Sequence, residues 1–399
     1  MVKFNDLTSQ WHEIKQHALP RINNMFENSA YVNGPEVQKF EENFAKWNGN
    51  KHCIGVSTGL DALRVATQAL NYTGHTHIYT QANTYIATVL GPDQALNGNC
   101  TIHLIDHDQY FQLDTEKLLN KLTSNTATFC DDHHLIIPVH LYGHPCDMET
   151  IMHYAKSFGA DVLEDCSQAH GAKCNGKQVG TFGDIAAFSC YPGKNLGAAG
   201  QAGVITTNDD LLAERCNEIK EVGSKVKYIH NVKGGNYRLD PIQAIVLDEK
   251  LKHLDKWNAK RRQFAKEYQK ISNEEIIVPL IDPAPWCTEQ VFHVFPILVG
   301  DTGVERQEIM EYMQKNGSQC GIHYPICIEE TGAYSDLGTT NFNPITRRNA
   351  EKLVSLPIHP FMLDGDCTKV VEILNSWKSE KKEQKNWHIE LKEFSGILF

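Results

Sequence analysis

Up to about Gly223 the chain alternates short apolar runs with helical patterns. This alternation limits the possible folds more than any other feature. Ile54–Ser57, His77–Thr80, Thr101–Asp106, Leu135–His140, Asp161–Glu164, Ile185–Cys190 and Val204–Thr207 read as strands. Several are apolar almost throughout, as strands buried on both faces must be. Asp61–Leu70, Met148–Phe158 and Asp210–Glu221 read as helices between them. The pattern predicts an α/β fold with a mainly parallel sheet covered by helices on both faces. Ligands of such sheets bind beyond the carboxyl ends of the strands.

Past Gly223 the pattern changes. A long helix is expected over Pro241–Ile271, then a strand at Phe292–Val299, a helix at Glu305–Asn316, an apolar helix start at Asn349–Val354 and a helix at Cys367–Trp377. The basic cluster Lys260, Arg261, Arg262 and Lys266 reads as a solvated helix face. The expected division is a large α/β domain with an N-terminal segment over 1–255, a small α+β domain over 256–377, and an extension over 378–399 that opens on dense charge.

The 399 residues carry a formal charge of −11, which gives nucleic-acid binding no electrostatic support. No stretch approaches the ~20 apolar residues of a membrane span, and Met1–Gln10 lacks a basic-then-apolar signal pattern. The twelve cysteines are scattered singly, which suits reduced thiols in a cytoplasmic protein.

Four segments carry candidate chemistry. In Glu164-Asp165-Cys166-Ser167-Gln168-Ala169-His170-Gly171-Ala172 an acid closes a buried strand at the mouth of the sheet. Asp165 there suits a cationic ring nitrogen, or serves as a helix cap or buried structural carboxylate. In Phe188-Ser189-Cys190-Tyr191-Pro192-Gly193-Lys194-Asn195-Leu196-Gly197 a strand delivers a lysine into a Pro/Gly-framed turn. Lys194 is either an exposed loop lysine or a poorly hydrated amine fit for a Schiff base. The Gly-Lys pair lacks P-loop spacing. Val56-Ser57-Thr58-Gly59-Leu60-Asp61-Ala62-Leu63 runs from strand into helix, which makes either an ordinary cap or a phosphate seat to which Ser189 adds a hydroxyl. Gly235-Asn236-Tyr237-Arg238-Leu239-Asp240 is a polar loop or an anion contact. A metal site in Cys130, Asp131, Asp132, His133, His134, His140, His144 and Cys146 fits no zinc spacing well.

Taken together, Glu164-Asp165-x-x-Gln168-Ala-His-Gly-Ala, Gly183-Asp184 and Phe188-Ser189-x-Tyr-Pro-Gly-Lys194-Asn-Leu-Gly resemble the DegT/DnrJ/EryC1/StrS family of sugar aminotransferases. Gly34-Pro35-Glu36-Val37, Ala82 to Thr88, Pro138 to Gly143, Asn236-x-Arg238-Leu239-Asp240-x-x-Gln243 and Gly321 to Pro325 extend the resemblance in family order from about residue 30 to 365. The family often has Gly-Asp-Gly-Gly where this chain has Gly200-Gln201-Ala202-Gly203.

The resemblance implies the fold-type I architecture of aspartate aminotransferase, pyridoxal 5'-phosphate as cofactor, and a homodimer with active sites at the interface. Lys194 would carry the cofactor as a Schiff base and then shuttle the proton. Asp165 would bind the ring nitrogen, Gln168 lie beside the phenolic oxygen and Tyr85 stack on the ring. Gly59, Leu60, Asp61 and Ser189 would hold the phosphate, and Asn236 would reach it from the partner subunit. Tyr191, Tyr228, His323 and Tyr324 would stand near the substrate.

The implied reaction moves an amino group from glutamate to a nucleotide-linked keto-sugar. Gly59-Leu60-Asp61-Ala62-Leu63 looks like members acting at C3 of dTDP-linked 3-keto-6-deoxyhexoses, which make glycan precursors. A C4 aminotransferase of UDP- or GDP-linked 4-keto sugars is the alternative. Dehydratase relatives replace the lysine by histidine. A non-catalytic cofactor-binding regulator should have lost a cofactor residue or gained a basic DNA-binding face, and neither is visible.

Overall fold

The computed structural model describes residues 1–128, 132–280, 282–300, 303–339 and 343–379. Two helices open the chain, α1 (Leu7–Glu27) and α2 (Pro35–Asn48), ahead of the first strand read from the sequence. Next come β1 (His52–Val56), α3 (Gly59–Leu70), β2 (Thr76–Gln81), α4 (Ala87–Ala95), β3 (Cys100–Ile105), α5 (Thr115–Thr128), β4 (His133–Ile137), α6 (Met148–Phe158) and β5 (Asp161–Asp165). A small hairpin, β6 (Lys173–Cys174) and β7 (Lys177–Gln178), precedes β8 (Ile185–Ser189) and β9 (Gly203–Thr207). Then follow α7 (Asp210–Lys220), the hairpin β10 (Ser224–Val226) and β11 (Ile229–His230), α8 (Pro241–Leu251) and α9 (Leu254–Glu267). The rest is β12 (Ile276–Ile277), β13 (Cys287–Glu289), β14 (Phe295–Val299), α10 (Gly303–Lys315), α11 (Pro344–Lys352), β15 (Leu353–Leu356) and α12 (Asp366–Ser376).

The seven strands read from the sequence form one sheet in the order β1-β9-β8-β5-β4-β2-β3. Its period-2 alternation places Ile185 and Ala187 on the face covered by α3 and α7, and Ala186 and Phe188 on the face covered by α2 and α8. Tyr79 and Ile136 pack under α5 and α6. Being buried on both sides explains why these strands are apolar in runs. A second sheet, β12-β14-β15, shares its own core with α10 and α12. Among the described residues no helix is long and apolar enough to cross a membrane.

Three expectations need correction. The helix over Pro241–Ile271 is two, α8 and α9, broken at Lys252 and His253. No proline or glycine marks the break. The two halves bury different faces: Ile245 and Val246 meet Ile14 and Ala18 of α1, while Ala265 joins the core of the second sheet. The apolar residues of Asn349–Val354 do not start a helix. α11 begins at Pro344, and Leu353 and Val354 belong to β15, which pairs with β14. Arg261 is not on a solvated face. It is 1% exposed and its Nη1 donates to the carbonyls of Phe292 (3.0 Å), His293 (3.3 Å) and Ile358 (2.7 Å). Of the extension, residues 380–399 lie outside the described residues.

Candidate active site

Only β9 runs against its sheet neighbours, so β1, β2, β4, β5 and β8 all deliver their carboxyl ends to one edge. The segments singled out above leave from that edge. Gly203 pairs with both Val56 and Ser189, which sets the ends of β1 and β8 on either side of one glycine. A Cβ on Gly203 would lie 2.3 Å from Thr58 O, and one on Gly59 would lie 2.5 Å from Ser189 Cβ. Two absent side chains thus let the start of α3 touch the end of β8.

At that start, Thr58 Oγ1 accepts from Asp61 N–H (2.9 Å), and Asp61 Oδ2 accepts from the hydroxyls of Ser57 (2.6 Å) and Thr58 (2.8 Å). The cap therefore occupies Asp61, whose N–H was expected among the phosphate donors. The N–H groups of Gly59 and Leu60 have no acceptor within the helix. With the Ser189 hydroxyl they form a compact anion seat, favoured further by the helix dipole.

Lys194 sits in the turn after β8. Lys194 N–H donates to Tyr191 O (2.8 Å) and Ala198 N–H to Cys190 O (2.9 Å). A Cβ on Gly197 would lie 2.2 Å from Pro192 O, so the turn closes only because residue 197 has no side chain. The Lys194 side chain is half-buried, and its Nζ makes no hydrogen bond or ion pair among the described residues. Burial lowers its pKa to about 8, and Asp165 works the other way. An ordinary solvated loop lysine has no such environment.

Asp165 is the last residue of β5 and is 3% exposed, so it caps no helix. Its Oδ1 accepts from Ser167 N–H (3.0 Å) and its Oδ2 from Thr88 Oγ1 (2.8 Å), which in turn meets Thr84 Oγ1 (2.8 Å). A carboxylate has about four lone-pair sites, so two directions remain for a cation. Gln168 is held at both ends. Its Oε1 accepts from Tyr142 N–H (2.7 Å), and its Nε2 donates to Tyr324 Oη (3.0 Å). The Tyr324 ring lies 5.5 Å from that of Tyr85, which is 55% exposed and free to cover a ligand. Tyr142 Oη donates to His323 O (2.6 Å). Burial, then the charge of Lys194, lowers the pKa of His323 to about 4 and of His170 to about 3, and holds His293 well below its usual value. Lys194 is thus surrounded by neutral imidazoles and one carboxylate.

The chain brings together Gly59, Leu60, Ser189, Lys194, Asp165, Gln168, Tyr85, Tyr324 and His323. It does not bring Tyr228 or Asn236 to them. Tyr228 is 82% exposed on the β10–β11 hairpin, and Asn236 contacts Arg238 and pairs with Glu221. Tyr191 is exposed beside the lysine turn. Thr88, Tyr142 and His170 had been passed over, although each lay inside a quoted motif. His293 had no signal. It was read as part of a strand, whereas its N–H donates to Tyr142 O (3.0 Å) and its Nδ1 faces Asn195 Oδ1 (3.3 Å).

His140, from the histidine-rich stretch, stands in a buried group with Glu164 and Cys166. Its Nδ1 accepts from Cys146 N–H (3.0 Å) and its Nε2 faces Glu164 Oε2 (3.1 Å). The Glu164 carboxylate also accepts from the N–H groups of Gly180, Phe182 and Gly183. These atoms already serve to lock β4, β5 and the 180–183 turn. Cys130 and Asp131 lie outside the described residues.

The site suits a flat ligand with a phosphate at one end, a protonated ring nitrogen at the other and a carbonyl carbon between. The glycine-lined helix start, the buried carboxylate and the unpartnered lysine supply the three matching groups, so the residues fit pyridoxal phosphate.

The profile of the DegT/DnrJ/EryC1/StrS aminotransferase family matches residues 12–375. A protein of Aneurinibacillus thermoaerophilus named dTDP-3-amino-3,6-dideoxy-alpha-D-galactopyranose transaminase is 40% identical over 382 residues, covering 94% of this chain and 99% of that protein. The structure of Streptomyces venezuelae DesV in complex with a ketimine intermediate superposes with a TM-score of 0.85 at 32% identity, covering 94% of this chain and 98% of that one. The structure of ntda from Bacillus subtilis with bound cofactor PMP gives a TM-score of 0.80 at 26% identity, over 91% and 81% of the two chains.

Proposed function

Because the chain belongs to the DegT/DnrJ/EryC1/StrS aminotransferase family, we propose that this nucleotide-sugar aminotransferase takes its amino group from glutamate and delivers it to C3 of a dTDP-linked 3-keto-6-deoxyhexose. The A. thermoaerophilus relative, named for a dTDP-3-amino sugar, supports the position and the nucleotide. The observation that carries the reaction type is Lys194 itself: a lysine with lowered pKa, no hydrogen-bond partner among the described residues, and one buried carboxylate near by.

Pyridoxal phosphate, when bound, supplies the electron sink that stabilises the charge left on carbon as a proton departs. Asp165 would hold the positive ring nitrogen. Its two hydrogen-bond donors fix the direction in which the carboxylate points. Gly59 and Leu60 N–H and Ser189 Oγ would hold the phosphate. Gln168, clamped by Tyr142 and Tyr324, and the exposed Tyr85 ring would contact the ring. Once displaced from the cofactor, Lys194 would take the proton from the donor's α-carbon as a neutral amine, a form its burial favours, and the ammonium so formed would return one at the carbon that reacts next. The first half would release 2-oxoglutarate with uptake of one water; in the second half the same Nζ would reverse these roles at the sugar carbon, whose carbonyl oxygen leaves as water, and the amino sugar is the product.

We place the working site in a homodimer. The hairpin residues Val226, Tyr228, Ile229 and Val232 expose a large apolar area that a second copy would cover. Asn236 of the partner subunit then adds a donor to a phosphate that this chain meets with only two N–H groups and a hydroxyl.

Absorbance tests the reading. The purified protein with pyridoxal phosphate should show a band near the visible that moves to shorter wavelength when glutamate is added. Lys194→Ala should lack that band. Incubating the glutamate-treated protein with dTDP-, UDP- and GDP-linked 3-keto and 4-keto sugars then settles the acceptor. Cofactor uptake without response to any amino donor would favour a binding protein, and turnover of 4-keto sugars alone would move the reaction to C4.

A further inference from the structure

A second lysine lies behind the first. Lys250, on α8, is 6% exposed. Its Nζ donates to Gly197 O (2.7 Å), three residues beyond Lys194, and to Gln10 Oε1 (3.0 Å) on α1. Gln10 is buried as well. No carboxylate lies within ion-pair distance of Lys250 among the described residues. The acids next to it on α8, Asp248 and Glu249, are engaged by Arg21 at 2.6 Å and 2.5 Å. The titratable group among the described residues that faces it most directly is the buried Cys190 thiol, whose pKa burial raises to about 12, keeping it neutral, and which feels both lysines. An ammonium buried without a counter-ion is costly, and a chain of this size could satisfy Gly197 O with a neutral donor.

The turn it grips is the one that presents Lys194. Residues 191–198 are closed by Lys194 N–H to Tyr191 O and Ala198 N–H to Cys190 O, with Gly197 packed against Pro192 O. The carbonyl of Gly197 is the point where α8 and α1 hold this turn from behind. We infer that Lys250 is a positioning residue for Lys194: its buried ammonium ties Gly197 O to Gln10 and so fixes the turn that keeps Lys194 Nζ in a poorly hydrated place. Burial lowers the pKa of Lys250 to about 8 as well. The inference rests on Lys194 being the reactive amine, but its first test needs no cofactor.

The test is competitive acetylation of the full-length apoprotein across pH 6–10, with Lys194 read by peptide mass spectrometry against exposed lysines. Lys250→Met keeps the shape and removes the charge. Relaxing the turn rehydrates Lys194, so its pKa rises. The expected result is a Lys194 labelling rate near pH 7.5 that falls about tenfold, the change for one pKa unit. The thermal midpoint should be unchanged or higher, since an apolar isostere of a buried charge is often neutral or stabilising. In the loaded enzyme kcat should fall by a similar factor while KM for glutamate holds. A Lys250 that only supports the fold would lower the thermal midpoint and leave Lys194 labelling in the folded protein unchanged. That outcome overturns the inference. If Lys250→Met does not fold, Gln10→Ala, which leaves the ammonium with Gly197 O alone, carries the same test: slower Lys194 labelling supports the role and an unchanged rate refutes it. Failure of the aminotransferase reading would show separately, as no spectral response to glutamate with Lys194 labelling still dependent on Lys250.

Discussion

Replacing Gly59 by alanine puts a methyl group 2.5 Å from Ser189 Cβ, 2.9 Å from its Cα and 2.9 Å from its Oγ. Carbon atoms in contact sit about 3.5–4 Å apart, so Ser189 or the start of α3 must retreat by about 1 Å. Neither has room. β8 is hydrogen-bonded to β5 on one side and β9 on the other, and α3 packs its Ala62, Leu63 and Ala66 into the core. Overpacking of this kind costs about 1–3 kcal/mol. The gain from replacing a helical glycine offsets at most about 1 kcal/mol of it. A net loss of about 1 kcal/mol in apoprotein stability is expected from urea unfolding. Displacing Ser189 also separates its hydroxyl from the N–H groups of Gly59 and Leu60. Losing one hydrogen bond to a charged phosphate, about 1.5–3 kcal/mol, weakens pyridoxal phosphate binding roughly 10- to 150-fold. Equilibrium titration by absorbance measures this. Gly74→Ala is the control, since the nearest atom to its Cβ is in the His133 ring at 3.7 Å. It should change neither quantity. A Gly59→Ala protein with wild-type stability and wild-type cofactor affinity would refute the claim that close approach of α3 and β8 builds the phosphate seat.

Other perturbations test the surrounding framework. Arg261→Ala leaves the carbonyls of Phe292, His293 and Ile358 without their donor, and should lower stability by about 3 kcal/mol or more in urea. Glu164→Gln sets an amide against the N–H groups of Gly180, Phe182 and Gly183 and should cost about 3 kcal/mol at neutral pH. Burial opposes the Glu164 charge, but His140 and the backbone donors outweigh it and lower its pKa. Its contribution is therefore full above the unfolded value near 4.5 and is lost as pH falls through the folded value. The stability gap between wild type and variant should stay constant from pH 7 to about pH 5 and close only as pH falls below about 4.5. Mixing Lys194→Ala with Asn236→Ala subunits should restore about a quarter of wild-type activity, because half the dimers are mixed and each holds one intact site. Continued inactivity of the mixture would mean Asn236 does not act across an interface.

The strands were legible because a sheet covered on both faces demands apolar runs, and Ile185–Ser189 and Gly203–Thr207 need no partner to show it. The site segments were legible because they leave strand ends with glycine, proline and a chemical side chain in short order. α1 and α2 were missed because their apolar positions are spaced around polar residues and no strand frames them. The break between α8 and α9 was missed because Leu251 to Leu254 contains no breaker. It follows from what each half packs against, and that is not a local property. His293 was read as a strand residue, and only its N–H bond to Tyr142 O places it in the cleft.

By itself the sequence determined the α/β sheet, the edge of that sheet from which chemistry must leave, and the identities of Lys194, Asp165 and Gln168 as candidates. Periodicity and motif spacing are local, so a single chain carries them in full. The tertiary structure decided which groups are free. It showed Asp61 N–H already taken by Thr58 Oγ1, Arg261 buried against three carbonyls, Lys194 with no hydrogen-bond partner among the described residues, and Lys250 reaching Gly197 O. Each depends on residues brought together by packing, and whether a polar group is satisfied is a property of its surroundings in the folded chain.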